Sequence, residues 1–144
     1  MIIDLRKIIR GGKDEESFFF EYCPELDTGV PNGELVLPVI INGTAKITGR
    51  HSAFIEGEIE FTVKGDCTRC LSPTEKTFTV SFAEIADNDD EDAYPVVNDT
   101  VDLSVIADEK ILTSIPVSFL CSDDCKGLCP VCGKNLNDGD CKCK

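Results

Sequence analysis

Four close pairs of cysteines constrain this chain more than any other feature. Cys67/Cys70, Cys121/Cys125, Cys129/Cys132 and Cys141/Cys143 take up eight of its nine cysteines, and Cys23 stands apart. Eight thiols are the ligand set of two tetrahedral four-cysteine sites, the closed geometry of structural zinc. The most specific piece is Cys129-Pro130-Val131-Cys132-Gly133. Two residues between cysteines let both sulfurs reach one ion, and the following glycine can adopt φ > 0, so that backbone N–H groups turn toward the thiolates. Cys141-Lys142-Cys143, if extended, puts both sulfurs on one side, and the turn-prone "NLNDGD" separates it from the pair before. A local site from Cys129, Cys132, Cys141 and Cys143 is sterically sound.

The remaining pairs, Cys67/Cys70 and Cys121/Cys125, then form the other site and staple together segments about fifty residues apart. Joining Cys121/Cys125 to Cys129/Cys132 would leave only Lys126–Leu128 as a linker, which is tight. Pairing Cys67/Cys70 with Cys129/Cys132 stays open. Iron–sulfur ligation uses the same thiolates and is the alternative cofactor. A thioredoxin-like redox pair needs a βαβ setting, and disulfides fit poorly with an odd count. Catalytic zinc keeps an open position, which an all-cysteine set does not offer. Cys23, before Pro24, reads as a buried or half-buried small apolar residue.

The N-terminal "MIIDLRKIIRGGKDEE" has neither the apolar run nor the cleavage pattern of a signal peptide. The longest apolar stretch, Leu35–Ile41, is too short to span a bilayer. The expectation is a soluble cytoplasmic protein with no membrane association, in a compartment where paired cysteines hold metal rather than disulfides.

The formal charge is −13, and Glu84 through Glu109 holds ten acidic residues without a lysine or arginine. Such a segment repels phosphate backbones; it serves as a solvated loop or engages a basic partner. Arg6, Lys7, Arg10 and Lys13, with Lys46, Arg50, Lys64 and Arg69, offer local basic faces.

"IIDLRKII" opens as strand or short helix, ended by Gly11-Gly12. "SFFFEY" suits a strand, "LDTGVPNG" a turn, and "ELVLPVII" a strand whose Pro38 marks an edge or bulge. Asn42-Gly43 predicts a hairpin with "TAKITG" as return strand. Ala53–Val63 alternates, with Ile55, Ile59, Phe61 and Val63 on one face and Glu56, Glu58 and Glu60 on the other. Thr77–Ile85 alternates as well, so Cys67 and Cys70 fall at a hairpin tip. The acidic "DNDDEDAYPVVNDT" reads as a mobile loop. Asp102 then caps a helix with the stripe Leu103, Ile106, Ala107 and Ile111, and Pro116 stops it.

The fold class expected is α+β: mainly antiparallel hairpins, one main helix near 103–115, and a C-terminal zinc-knuckle tail. Residues 1–120 form the body, with an acidic loop at about 86–101, and 121–144 the tail stapled to the 67–70 tip. His51 is the only histidine and reads as structural or solvent-facing. With no phosphate loop, dinucleotide motif or nucleophile with a base, the chain reads as no enzyme and binds no small-molecule substrate.

"GDCTRCLSP", then "VDLSVIADEKILTSIPVSFLC" and "CKGLCPVCGKNLNDGDCKC", closely resembles the bacterial YceD family, the large ribosomal RNA subunit accumulation proteins, in its Gram-positive branch. The resemblance runs from about Ala53 to the end. It implies a role in ribosome assembly and in accumulating large-subunit ribosomal RNA, with a basic large-subunit ribosomal protein or a pre-ribosomal particle as partner. It also agrees with pairing Cys67 and Cys70 with Cys121 and Cys125, and it brings no catalytic residues. Two alternatives stand beside this reading. One is direct binding of ribosomal RNA through Arg69, Lys126 and Lys134, with Lys142 and Lys144, since zinc knuckles read single-stranded RNA. The other is a thiol redox or metal-buffering protein.

Overall fold

A computed structural model describes residues 1–139 and 141–142. Its centre is a four-stranded antiparallel meander of β2 (Glu15–Tyr22), β3 (Glu34–Gly49), β4 (Ser52–Asp66) and β5 (Pro73–Asp87), in that order across the sheet. A short pair, β1 (Ile2–Asp4) and β6 (Thr100–Asp102), lies beside it. Each of these two short strands runs directly into a helix: β1 into α1 (Leu5–Arg10) and β6 into α2 (Leu103–Ser114). "IIDLRKII" is therefore strand and then helix, the switch made at Asp4, whose carboxylate caps α1 by accepting from the Arg6 N–H at 3.0 Å. Asp102 repeats the device for α2, accepting from the Ser104 N–H at 2.9 Å. The protein is thus mainly antiparallel sheet with one main helix and a cysteine cluster near the C-terminus.

The alternation in β4 and β5 is what folds the sheet onto one core. Ala53, Ile55, Ile59, Phe61 and Val63 are buried on one face of β4, beside Val39, Ile41 and Ala45 of β3 and Phe82 and Ala86 of β5. Leu5 and Ile8 of α1 and Leu103, Ile106, Ala107 and Ile111 of α2 close over that face. Each large side chain so buried contributes about 1.5–3 kcal/mol. The opposite face, carrying Glu56, Glu58 and Glu60, is exposed.

Three bonds register α2 on the sheet. The Tyr22 hydroxyl donates to Asp108 at 2.8 Å, the Tyr94 hydroxyl donates to Glu109 at 2.6 Å, and Lys110 pairs with Glu84. They set where the helix ends, and so where the chain from Pro116 onward begins. No helix among the described residues is long and apolar enough to cross a membrane.

Three expectations need correction. Asn42-Gly43 makes no turn: β3 runs unbroken through it, and the hairpin to β4 turns at residues 50–51. Gly43 lies opposite Gly57, and a Cβ there would stand 2.1 Å from the Glu56 carbonyl oxygen. This glycine permits close strand approach rather than a positive φ. The acidic loop, 88–99 between β5 and β6, is anchored: Val96 is buried, and the Tyr94 N–H donates to the Ile85 carbonyl at 3.0 Å. Its two apolar anchors were outweighed in composition by its acids. Cys23 is exposed, not buried, because β2 ends at Tyr22 and the chain leaves the sheet there. Pro38 does mark an irregularity: the β3–β4 register shifts between Val36 and Ile40.

Candidate metal centre

The β4–β5 hairpin ends in a compact turn over residues 67–72. The Cys67 N–H donates to the Ser72 carbonyl and the Leu71 N–H to the Cys67 carbonyl, both at 2.9 Å. Leu71 takes the left-handed conformation, φ 63°, that closes the turn. Cys67 and Cys70 thereby face the same side. The chain leaving α2 reaches them through Phe119, which is fully buried. Its carbonyl accepts from the Thr68 N–H at 2.7 Å, and the Lys76 ammonium sits 5.9 Å from its ring centre. With Phe119 seated there, Cys121 and Cys125 close on the hairpin tip.

The four sulfurs of Cys67, Cys70, Cys121 and Cys125 lie within 4.8 Å of one another. Cys67 and Cys125 are 3.6 Å apart, and Cys70 and Cys121 3.5 Å. Sulfurs bound tetrahedrally at about 2.3 Å from one zinc would stand about 3.8 Å apart, whereas a disulfide needs about 2.05 Å. The set therefore has the spacing of a closed four-thiolate site. Arg69, between the first two cysteines, donates from its guanidinium to the Cys125 carbonyl at 3.0 Å. Gly127 turns with φ 77°, a conformation that favours glycine, beside the Arg69 backbone.

The second cluster forms inside the tail. Cys129, Cys132 and Cys141 have their sulfurs within 4.8 Å of one another, with Cys129 and Cys141 3.4 Å apart. Gly133 turns with φ 76°, as the motif requires, and the Val131 N–H donates to the Cys129 sulfur at 3.4 Å. Cys143, the expected fourth member, and Lys144 lie outside the described residues.

The electrostatics suit metal thiolates. Burial pushes the Cys67 thiol up, but N–H groups of Cys70, Cys121 and Arg69 aimed at its sulfur prevail and bring it down to about 6. The Cys132 and Val131 N–H groups draw Cys129 down to about 6. Cys70 is lowered, first by the Ser72 hydroxyl, and Cys121 is pushed up to about 12 by its neighbours Cys70 and Cys125. Four thiols this close cannot all ionise alone; a divalent cation held by them would remove that repulsion and favour the thiolate form. Both clusters could hold a metal ion.

Sequence reading missed the groups around the sulfurs. Ser72 Oγ lies 3.2 Å from the Cys70 sulfur, and the Asn137 side-chain amide donates to the Cys125 sulfur at 3.3 Å. Asn135 and Asn137 looked like turn residues; nothing in their spacing says which cluster they serve. The expected contact residue Arg69 is exposed, with its guanidinium reaching across to the Cys125 carbonyl. Lys126 and Lys134 are exposed beside it.

The model of the family described as "Large ribosomal RNA subunit accumulation protein YceD" matches residues 55–144, from β4 through both clusters. The chain belongs to the YceD family. Among relatives, the uncharacterized protein YlbN of Bacillus subtilis is 30% identical over 135 residues, covering 84% of this chain and 76% of its own. The uncharacterized protein Rv2926c of Mycobacterium tuberculosis is 30% identical over 91 residues, covering 57% of this chain and 44% of its own. This chain thus spans less than half of the mycobacterial relatives it matches. A maize YceD-family relative, the "Large ribosomal RNA subunit accumulation protein YCED homolog 1, chloroplastic", is 37% identical over 59 residues, 40% of this chain and 20% of its own. No solved structure matches the chain.

Proposed function

We propose that this protein is a non-catalytic assembly factor of the cytoplasm that supports accumulation of large-subunit ribosomal RNA, and that it binds a basic large-subunit ribosomal protein or a pre-ribosomal particle. On this reading residues 1–120 form an α+β body and 121–144 a tail held to it by zinc. Cys67, Cys70, Cys121 and Cys125 hold one ion and Cys129, Cys132, Cys141 and Cys143 the other. Their all-thiolate character favours a soft metal in a closed shell, which supplies a cross-link and no open coordination position.

The family supports the ribosomal role. The observation that carries the mode of binding is the open face of the sheet. Glu56, Glu58 and Glu60 stand in a row about 7 Å apart. Their cross-strand neighbours are Thr44, Asn42 and Ile40 on one side and Ala83, Ser81 and Thr79 on the other. With no cation opposite, the row projects uncompensated negative charge from a rigid strand, on a chain of net charge −13. Such a field attracts a basic protein and repels bare RNA. A second reading, direct RNA contact, draws on the exposure of Lys126 and Lys134 beside the clusters.

Affinity capture with and without RNase separates the two. Partners that survive RNase, dissociate in high salt and are lost in Glu58→Lys support the acidic-face reading. Partners that vanish with RNase, and are lost in Lys126→Ala with Lys134→Ala, overturn it in favour of RNA binding.

A further inference from the structure

Between the second and third cysteines of the tail cluster lies "GKNLND", which forms a turn closed by a short 3₁₀ segment, Leu136–Asp138. The ends of this turn belong to the tail cluster: the Cys129 N–H donates to the Lys134 carbonyl at 2.8 Å, and Cys132 and Cys141 bracket the segment. Its side chains, however, reach the other cluster. The Asn137 amide nitrogen donates to the Cys125 sulfur at 3.3 Å, while its oxygen accepts from the Lys126 N–H at 2.9 Å. The Asn135 amide nitrogen donates to Ser72 Oγ at 3.3 Å, and that hydroxyl lies 3.2 Å from the Cys70 sulfur. The Asn135 oxygen accepts from the Asn137 N–H at 2.9 Å. The Leu136 N–H completes the seam on the Gly127 carbonyl at 2.9 Å.

The orientation of both amides is dictated, not free. A backbone N–H can only donate, so Lys126 holds the Asn137 oxygen and the Asn137 N–H holds the Asn135 oxygen. Each NH₂ group is left facing the hairpin-tip cluster. Ser72, accepting from Asn135, keeps its own proton to give to the Cys70 thiolate. A thiolate that accepts hydrogen bonds carries less charge to repel its neighbours, and it is held in one orientation toward a metal. Groups placed this way typically alter metal retention ten- to a hundredfold.

We infer that Asn135 and Asn137 are positioning residues that couple the two metal sites: the loop closed by the tail cluster supplies the outer hydrogen-bond shell of the hairpin-tip cluster. The inference rests on the reading of both clusters as metal sites. It makes retention mutual, since a coupling free energy acts equally on both sites. The tail cluster completes the first site, so emptying the tail site exposes the first site to loss.

The test uses the full chain loaded with cadmium, a thiophilic NMR-active probe, with each cadmium resonance assigned through its coupling to cysteine β-protons. Asn137→Asp and Asn135→Asp each keep the oxygen that accepts a backbone N–H and remove the amide donor. Both should move the resonance of the site holding Cys67 and Cys70, and speed its loss to a chelator about tenfold or more. The tail-site resonance should stay in place, and the sheet amide spectrum should remain that of the unsubstituted protein. Cys129→Ser, which disables the tail site, should speed loss from the first site too. A first-site resonance and release rate unchanged in all three variants overturn the coupling and leave the metal reading standing. An unsubstituted chain that gives no cadmium resonance coupled to these cysteines overturns the metal reading, and the coupling with it.

Discussion

Cys67 and Cys70 meet Cys121 and Cys125 across about fifty residues of sheet, loop and helix, whereas Cys129, Cys132 and Cys141 gather within one short piece of tail. The donor atoms are alike in the two clusters, and so is their spacing. What differs is what each cluster closes. The first joins a rigid hairpin tip to the chain emerging from α2, with Phe119 buried between them. The second closes a small turn that packs on the first. A metal in the first cluster therefore stabilises the arrangement of the whole fold, while one in the second stabilises mainly the tail itself. The number of ligands in a site says little about its structural reach; the length and rigidity of what it joins say more.

The sharpest way to break the comparison is to remove one ligand from each cluster. Cys67→Ser should lose one ion per chain and release both tail and hairpin tip, because zinc in four-ligand peptide sites supplies on the order of 10–16 kcal/mol of folding free energy, as much as a domain's whole stability. Cys132→Ser should also lose one ion but, because it only weakens the first site, should lower the unfolding transition of the sheet far less than Cys67→Ser does. Native mass spectrometry counts the ions and calorimetry follows the transition. Equal destabilisation by the two variants would show that the clusters do not differ as argued.

Acid should erase the contrast. Cys67 and Cys129 are both drawn down to about 6, below the ~8.5 of a free thiol. A group whose folded value is depressed stabilises the fold above its free value, and that contribution is lost as the pH falls through the folded value. Protons compete with a metal for these thiolates, so both ions should stay bound at neutral pH and both should be lost as the pH falls, as metal analysis after filtration would reveal. Loss of the two ions at clearly different pH would show that acid does not erase the contrast.

A smaller effect should separate packing from ligation. Phe119→Ala removes the buried ring that seats the emerging chain on the hairpin and should cost about 3–5 kcal/mol. All four first-cluster ligands remain, so two ions should still bind, with the first held more weakly. Chemical denaturation read beside metal content checks this; a stability within about 1 kcal/mol of the unsubstituted protein would show that the ion alone holds the two segments together.

Much of this arrangement is legible in the residues. β4 and β5 follow from strict alternation, α2 from its apolar stripe and Asp102 cap, and the hairpin-tip position of Cys67 and Cys70 from the strands on either side. Gly133 turns as its motif demands. Asn42-Gly43 misleads because the same glycine serves a tight turn or a close strand approach, and only the partner, Gly57, tells which. Cys23 misleads because a small apolar residue at a strand end carries no local sign of which way the chain departs.

By itself, then, the sequence determined the donor set, the local turn of the Cys129–Cys132 motif and the two faces of the central strand, because each depends on residues only a few positions apart. The spacing of the cysteine pairs favours joining Cys121 and Cys125 to the hairpin tip but leaves another grouping open, and the tertiary structure closed that choice; it alone decided that the Arg69 guanidinium reaches the Cys125 carbonyl and that Asn135 and Asn137 serve the cluster they do not belong to. Those outcomes depend on where α2 is registered on the sheet by Tyr22, Tyr94 and Lys110, and on the depth at which Phe119 is buried. Such long-range placements arise from packing, which no spacing along the chain records.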